Sequence, residues 1–264
     1  MDPSERRFYH SHPVDSRKLL DHYCSPTAGE AMLETTIKFP IQQVHKALSA
    51  GNIKGDTFID ITIGGIMYPL LAACEFFKDI ILLKFNDECI AETEKWLNAH
   101  SEAFDWSHAS KYFTELEGKG HGWQEKEERL KSKIRRVVKC DLAKENLTEP
   151  EVLPRADCLL ILGILETTSE DHESFRRNLK KFASLLKPGG RLLLFVALNA
   201  TKYRADERDL HYFTCDEALL TASLGEEGFA VESCEVFQKK EHTDLVDYSG
   251  IAFISAQKDS EVTK

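Results

Sequence analysis

Short apolar runs recur along the chain, at Thr57-Phe58-Ile59-Asp60-Ile61, Ile80-Ile81-Leu82-Leu83, Val137-Val138, Cys158-Leu159-Leu160-Ile161-Leu162 and Leu192-Leu193-Leu194-Phe195-Val196. They lack the polar alternation of a half-exposed strand, so they predict strands covered on both faces. Between them lie segments of helical spacing, such as the amphipathic stretch from Asp87 to about Asn98. Strand and helix in alternation predict right-handed crossovers and a mostly parallel sheet, an α/β fold. Gly64-Gly65 marks the turn out of the first strand, and Leu186-Lys187-Pro188-Gly189-Gly190 the turn into the last parallel one. The runs 230–237 and 251–256 are joined by a polar stretch too short for a crossover helix, which predicts an antiparallel pair at the sheet edge. Residues 16–49 carry Leu19, Leu20, Tyr23, Met32, Ile37 and Val44 at helical spacing and read as an N-terminal helical cap. The polar segment 106–129 reads as a surface excursion ending in a helix. The expected organisation is one domain over 1–264, with 1–50 capping the active face.

Composition narrows the function. A net charge of −10 leaves no surplus of cations for a nucleic-acid surface. The basic run Arg129, Lys131, Lys133, Arg135 and Arg136 is interleaved with Glu125, Glu127 and Glu128, and reads as a solvated helix face. Seven scattered cysteines make neither a disulfide framework nor a zinc motif, so reduced thiols and a cytoplasmic location are expected. Residues 1–9 are polar and no stretch reaches the ~20 apolar residues of a membrane span, so no membrane partner is expected. Monomer is the expected state. His10 and His12 read as surface residues. There is no His-x-x-x-His, G-x-S-x-G or G-x-G-x-x-G, so no metal site, no catalytic nucleophile and no NAD fingerprint is expected.

In an open parallel sheet the ligand sits beyond the carboxyl ends of the strands, where strand order reverses. That places the candidates at 62–68, 84–87, 140–142, 163–166 and 197–203. Gly64 and Gly65 fit either a tight turn or the close approach of a ligand. Asp141-Leu142 fits an acceptor for an adenine amino group beside an apolar cover, and equally a surface turn.

A collinear set of segments then carries a resemblance. It comprises Lys54-Gly55-Asp56 leading into Phe58-Ile59-Asp60-Ile61, then Ile66-Met67-Tyr68, Leu70-Leu71-Ala72-Ala73-Cys74-Glu75, Glu94-Lys95-Trp96-Leu97 and Glu102-Ala103-Phe104-Asp105-Trp106-Ser107. Trp123-Gln124-Glu125-Lys126-Glu127, Cys140-Asp141, Ala156-Asp157-Cys158 and Leu185-Leu186-Lys187-Pro188-Gly189-Gly190 complete it. Over nearly its whole length the chain resembles the nicotinamide, indolethylamine and phenylethanolamine N-methyltransferases. The resemblance implies a Rossmann-like class I methyltransferase fold, with a seven-stranded, mostly parallel sheet, and S-adenosylmethionine as cofactor. The implied cofactor residues are Tyr23, Asp60, Thr62, Gly64, Tyr68, Lys84, Asn86, Asp141, Leu142 and Gly163; the implied substrate residues are Leu19, Val196, Ala197, Ala200 and Tyr203. No side chain is assigned as a catalytic acid or base, because methyl transfer needs chiefly an aligned lone pair in a dry site.

Departures from the family pattern cluster at the cofactor. The glycine turn reads Asp60-Ile61-Thr62-Ile63-Gly64, with branched Thr62 where a glycine is expected. Lys84 stands where an acid would accept the ribose hydroxyls, and a lysine only donates. Leu19 and Cys24 stand at aromatic positions of the cap, and Val196 at the acid of the nicotinamide type. The substrate reading is therefore a small apolar amine or thioether. The alternative is a family fold that has lost the cofactor and acts by binding or interaction.

Overall fold

The computed structural model describes residues 6–259. Its sheet has seven strands in the order β3-β2-β1-β4-β5-β9-β8. The strands are β1 (Thr57–Thr62), β2 (Asp79–Lys84), β3 (Ile134–Lys139), β4 (Ala156–Leu162), β5 (Leu186–Leu198), β8 (Phe229–Gln238) and β9 (Gly250–Lys258). Pairings β1–β2, β1–β4, β2–β3 and β4–β5 are parallel, whereas β5–β9 and β8–β9 are antiparallel. Both the parallel sheet and the antiparallel edge pair follow the expectation. The chain reverses direction across the sheet between β1 and β4, which opens the crevice beyond their carboxyl ends.

Every residue of β1 is buried, consistent with a strand covered on both faces. Helices α4 (Leu70–Ala73), α5 (Asp87–Leu97), α6 (Ser107–Leu116), α7 (Trp123–Lys133), α8 (Leu165–Thr168), α9 (His172–Ala183) and α10 (Glu217–Glu226) supply the covering layers. Asn86 starts α5 by accepting the Cys89 N–H, and Asp87 and Glu88 follow in its positive first turn.

The cap is α1 (Ser16–Tyr23), α2 (Glu30–Leu33) and α3 (Phe39–Ser49), the last two joined through a π-helical turn at Glu34–Lys38. Leu19, Leu20, Met32, Ile37 and Val44 are buried as the spacing requires. The excursion 106–129 holds two helices, α6 and most of α7. A second, two-stranded ribbon, β6 (Lys202–Arg204) with β7 (Asp209–His211), stands beyond the end of β5. Segment 186–190, expected as a turn, lies within β5, and a register shift against β4 between Ala156 and Cys158 absorbs its irregularity. Cysteines 24, 74, 89, 140, 158 and 215 are free and buried, and Cys234 is free and exposed. Among the described residues no helix is long and apolar enough to cross a membrane.

Candidate functional site

Two cavities open beyond the carboxyl ends of the parallel strands. The first is a chamber of about 100 Å3 under the cap, beside the ends of β1, β4 and β5. Among its walls are Leu19, Tyr23, Tyr68, Gly163, Val196, Ala197 and Tyr203, all named from the sequence as cofactor or substrate residues. Thr35, Thr36 and Pro40 from the π-turn and the start of α3 form its roof. Leu19 seats α1 on Gly64. That glycine has φ 62°, and a Cβ there would lie 2.8 Å from a Leu19 methyl, so the turn is held to glycine by both backbone and packing.

One chamber wall had no assigned role. Glu166, in the short helix α8 that follows β4, is 1 % exposed. Its Oε1 accepts the Ala197 N–H at 2.9 Å, and Oε2 has no partner. Burial pushes this carboxyl up to about 7, with the Ala197 N–H pulling weakly the other way. Tyr203 also keeps an unpartnered buried hydroxyl. Two other tyrosines of the wall, Tyr23 and Tyr68, are committed to the backbone. The Tyr23 hydroxyl lies 2.8 Å from the Arg204 carbonyl and 2.9 Å from that of Leu245, sharing its single proton, and the Tyr68 hydroxyl donates to Thr36 O. Their rings, not their hydroxyls, are left for a ligand.

The second cavity, about 500 Å3 and more polar, lies at the ends of β2 and β3 and is bounded by Phe85, Cys140, Asp141, Leu142 and His10. His10 is half-buried with a buried, unpartnered Nδ1, so the surface role expected of it is corrected: segment 6–15 folds back over the strand ends. Asp141 is exposed, with one oxygen accepting the Ala143 N–H, and Leu142 is half-buried.

Between the cavities the chain fills its own crevice. Lys84 at the tip of β2 is 1 % exposed; its Nζ donates to Thr62 O at 3.0 Å and sits 3.9 Å from Asp60 Oδ2. Thr62 Oγ1 donates to the other Asp60 oxygen. Burial pushes Asp60 up to about 6 and Lys84 down, while each one's charge opposes the other's shift. Asp60, Thr62 and Lys84 thus form an internal triad that holds the ends of β1 and β2 together. None of the three lines either cavity. Ala200, expected near substrate, is fully buried and accepts from Thr214 Oγ1 through its carbonyl, outside the chamber wall.

Tyr9 completes the filling, and the polar average of residues 1–9 concealed it. It is 1 % exposed; its hydroxyl accepts the Gly64 N–H at 2.8 Å and lies 3.1 Å from Cys89 Sγ. Its ring meets Phe85 edge-on at 6.1 Å. The aromatic pair Phe8-Tyr9 was the one signal available.

Do these residues suit the implied cofactor? Phe85, Leu142 and Asp141 offer apolar cover and an acceptor to a purine. Asn86 Nδ2, buried without a partner, is a donor suited to a ribose oxygen. The rings of Tyr23 and Tyr68, with the Glu166 carboxyl, suit a sulfonium. Lys84 gives the ribose no acceptor, and that one contact is missing. On balance the group fits.

Among the described residues no cluster of His, Cys, Asp and Glu is placed to hold a metal ion. Comparison with known proteins agrees with the fold. The chain is similar to magnesium protoporphyrin IX methyltransferase of Synechocystis PCC 6803, with a TM-score of 0.55 at 13% identity over 92% of this chain and 93% of that one. It is 36% identical to indolethylamine N-methyltransferase of Oryctolagus cuniculus over 242 residues, 92% of each chain. Against human nicotinamide N-methyltransferase it is 32% identical over 95% of this chain and 94% of that one. Residues 6–259 match the model of the NNMT/PNMT/TEMT family, and the chain belongs to that family of methyltransferases.

Proposed function

We propose that this protein transfers a methyl group from S-adenosylmethionine to the nitrogen of a small, largely apolar amine bound in the chamber of Glu166. The observation that carries the reading is the unpartnered Oε2 of a buried carboxyl in a wall of aromatic and aliphatic side chains. A buried acceptor left unmade costs about 1–3 kcal/mol, so the chamber favours a ligand that brings a donor. An amine does so; a thioether has no N–H to give. Family membership supports the same class, since the relatives named above are N-methyltransferases.

The free space of about 100 Å3 suits a compact substrate better than a bulky one. Val196 and Ala197 give it apolar contacts. The cofactor supplies an electrophilic methyl group on a sulfonium. The chain would hold its purine with Phe85, Asp141 and Leu142, its ribose with Asn86, and its cationic end near Tyr23 and Tyr68. Glu166 orients the amine through Oε2. With its carboxyl near neutrality it is also matched to accept the proton that a protonated amine must shed before its lone pair can react.

Removing the charge of Glu166 tests this. Glu166→Gln should lower amine kcat/KM by about ten- to a hundredfold, the worth of a charge-assisted hydrogen bond of about 1.5–3 kcal/mol. Turnover of a matched thioether should change little. Equal losses for amine and thioether, or none for either, would remove Glu166 from substrate recognition.

A further inference from the structure

The chamber of Glu166 has a neighbour that the proposed reaction does not use. A third cavity, about 220 Å3 and more polar than the chamber, lies between α2 and the chain from Lys239 to Thr243, with Glu30, Lys240, Glu241 and His242 in its walls. Two side chains, Thr35 and Tyr248, line both this annex and the chamber, and so stand between the two spaces. The partition they make is closed: Tyr248 is 6 % exposed and Thr35 4 %.

Both residues are fastened in place. Thr35 belongs to the π-helical turn Glu34–Lys38, a widened turn of the kind often found beside functional sites. Its hydroxyl donates to Ala31 O at 3.1 Å and meets the Tyr248 hydroxyl, which ties the partition to the cap. From the annex side Lys239 lays its ammonium 5.0 Å from the centre of the Tyr248 ring and donates to Val246 O at 2.8 Å, bracing the ring against the chamber. We infer that Tyr248 sets the length limit of the substrate: its ring ends the apolar chamber, and a smaller side chain there joins chamber and annex into one site for an elongated amine with a polar end. The inference rests on the amine reading proposed above. The amine nitrogen stays at Glu166, and the donors and acceptors of Lys240, Glu241 and His242 suit a terminal hydroxyl in the annex.

Butylamine and a terminal aminooctanol, one compact and one that reaches beyond the chamber, test this in the full chain with labelled S-adenosylmethionine. Wild type should favour butylamine in kcat/KM by about tenfold or more, and Tyr248→Ala should narrow that ratio by about tenfold, chiefly through KM for the long amine. Tyr248→Phe keeps the ring and should keep the wild-type ratio. Because removing a buried ring weakens the core, Tyr248→Leu is measured beside Tyr248→Ala. Calorimetry in the presence of S-adenosylhomocysteine reads binding alone, and there the long amine should bind both variants more tightly than wild type. Wild type that takes both amines equally overturns the length limit. So does an unchanged ratio in Tyr248→Ala and Tyr248→Leu while butylamine is still methylated, and either result leaves the amine reading standing. An equal change in Tyr248→Phe also overturns it, since the hydroxyl rather than the ring would then be responsible. Failure of every form, wild type included, to bind or methylate either amine removes the amine reading and this inference with it.

Discussion

Glu166 and the Lys84–Asp60 pair set the electrostatics of the site through burial, and each has a measurable consequence. Glu166 titrates near 7 in the folded chain against 4.5 for an ordinary glutamate, so the fold binds its proton more tightly than the unfolded chain does. The sign follows: its contribution is fully present below about pH 4.5 and is lost as pH rises to about 7, amounting to about 3 kcal/mol. In urea melts the stability of wild type relative to Glu166→Gln should therefore fall by about that much between pH 4.5 and 7.5; a flat difference would mean the carboxyl is not desolvated. Asp60→Asn leaves the Lys84 ammonium buried without a counter-charge and should cost about 3–5 kcal/mol, and Asp60→Asn with Lys84→Met should recover most of it. No recovery in the double variant would mean that the triad is held by something other than charge. Sequence made the Lys84 substitution legible but not its direction. A lysine at a strand tip is normally drawn toward solvent or ligand, and only the Thr62 carbonyl and the Asp60 carboxyl, brought together by the β1–β2 register, turn it inward.

At the scale of elements, apolar runs revealed β1, β2, β4 and β5 because each is largely buried between covering layers, whereas the edge strand β3 is buried only at Val138, so the expectation of cover on both faces fails there and Val137-Val138 was its one signal. The edge pair β8–β9 showed itself through the short polar link. The ribbon β6–β7 did not, since strands of three residues carry too little pattern to read. Nor did the placement of Tyr9 in segment 6–15: a single buried tyrosine in a polar stretch has no period, and its fixation depends on Gly64, Phe85 and Cys89 from distant parts of the chain. Docking of α1 on the glycine turn is an element-level contact that substitution can test. Gly64→Ala combines a left-handed backbone with a Cβ 2.8 Å from Leu19, and should destabilise by about 1–3 kcal/mol in thermal or urea melts. Adding Leu19→Ala should remove the steric part and leave the backbone part of about 1 kcal/mol. Strict additivity of the two substitutions would show that the cap does not rest on that turn.

For the whole molecule, the strand order puts a reversal between β1 and β4, and the residues that matter gather at that end of the sheet although they are scattered in sequence. The same face carries an aromatic chamber with a free carboxylate oxygen, an outer cavity with an acceptor and apolar cover, and a self-filled crevice between them. Methyl transfer to an amine requires all three to act as one cleft. The most direct measurement is transfer of a labelled methyl group from S-adenosylmethionine to compact apolar amines, followed between pH 6 and 9 for wild type and Glu166→Gln. The expected result is turnover by wild type that rises as pH increases through about 7 and falls about tenfold or more in the variant. Absence of transfer to any amine across that range, with no change in melting temperature on adding S-adenosylhomocysteine, would contradict it.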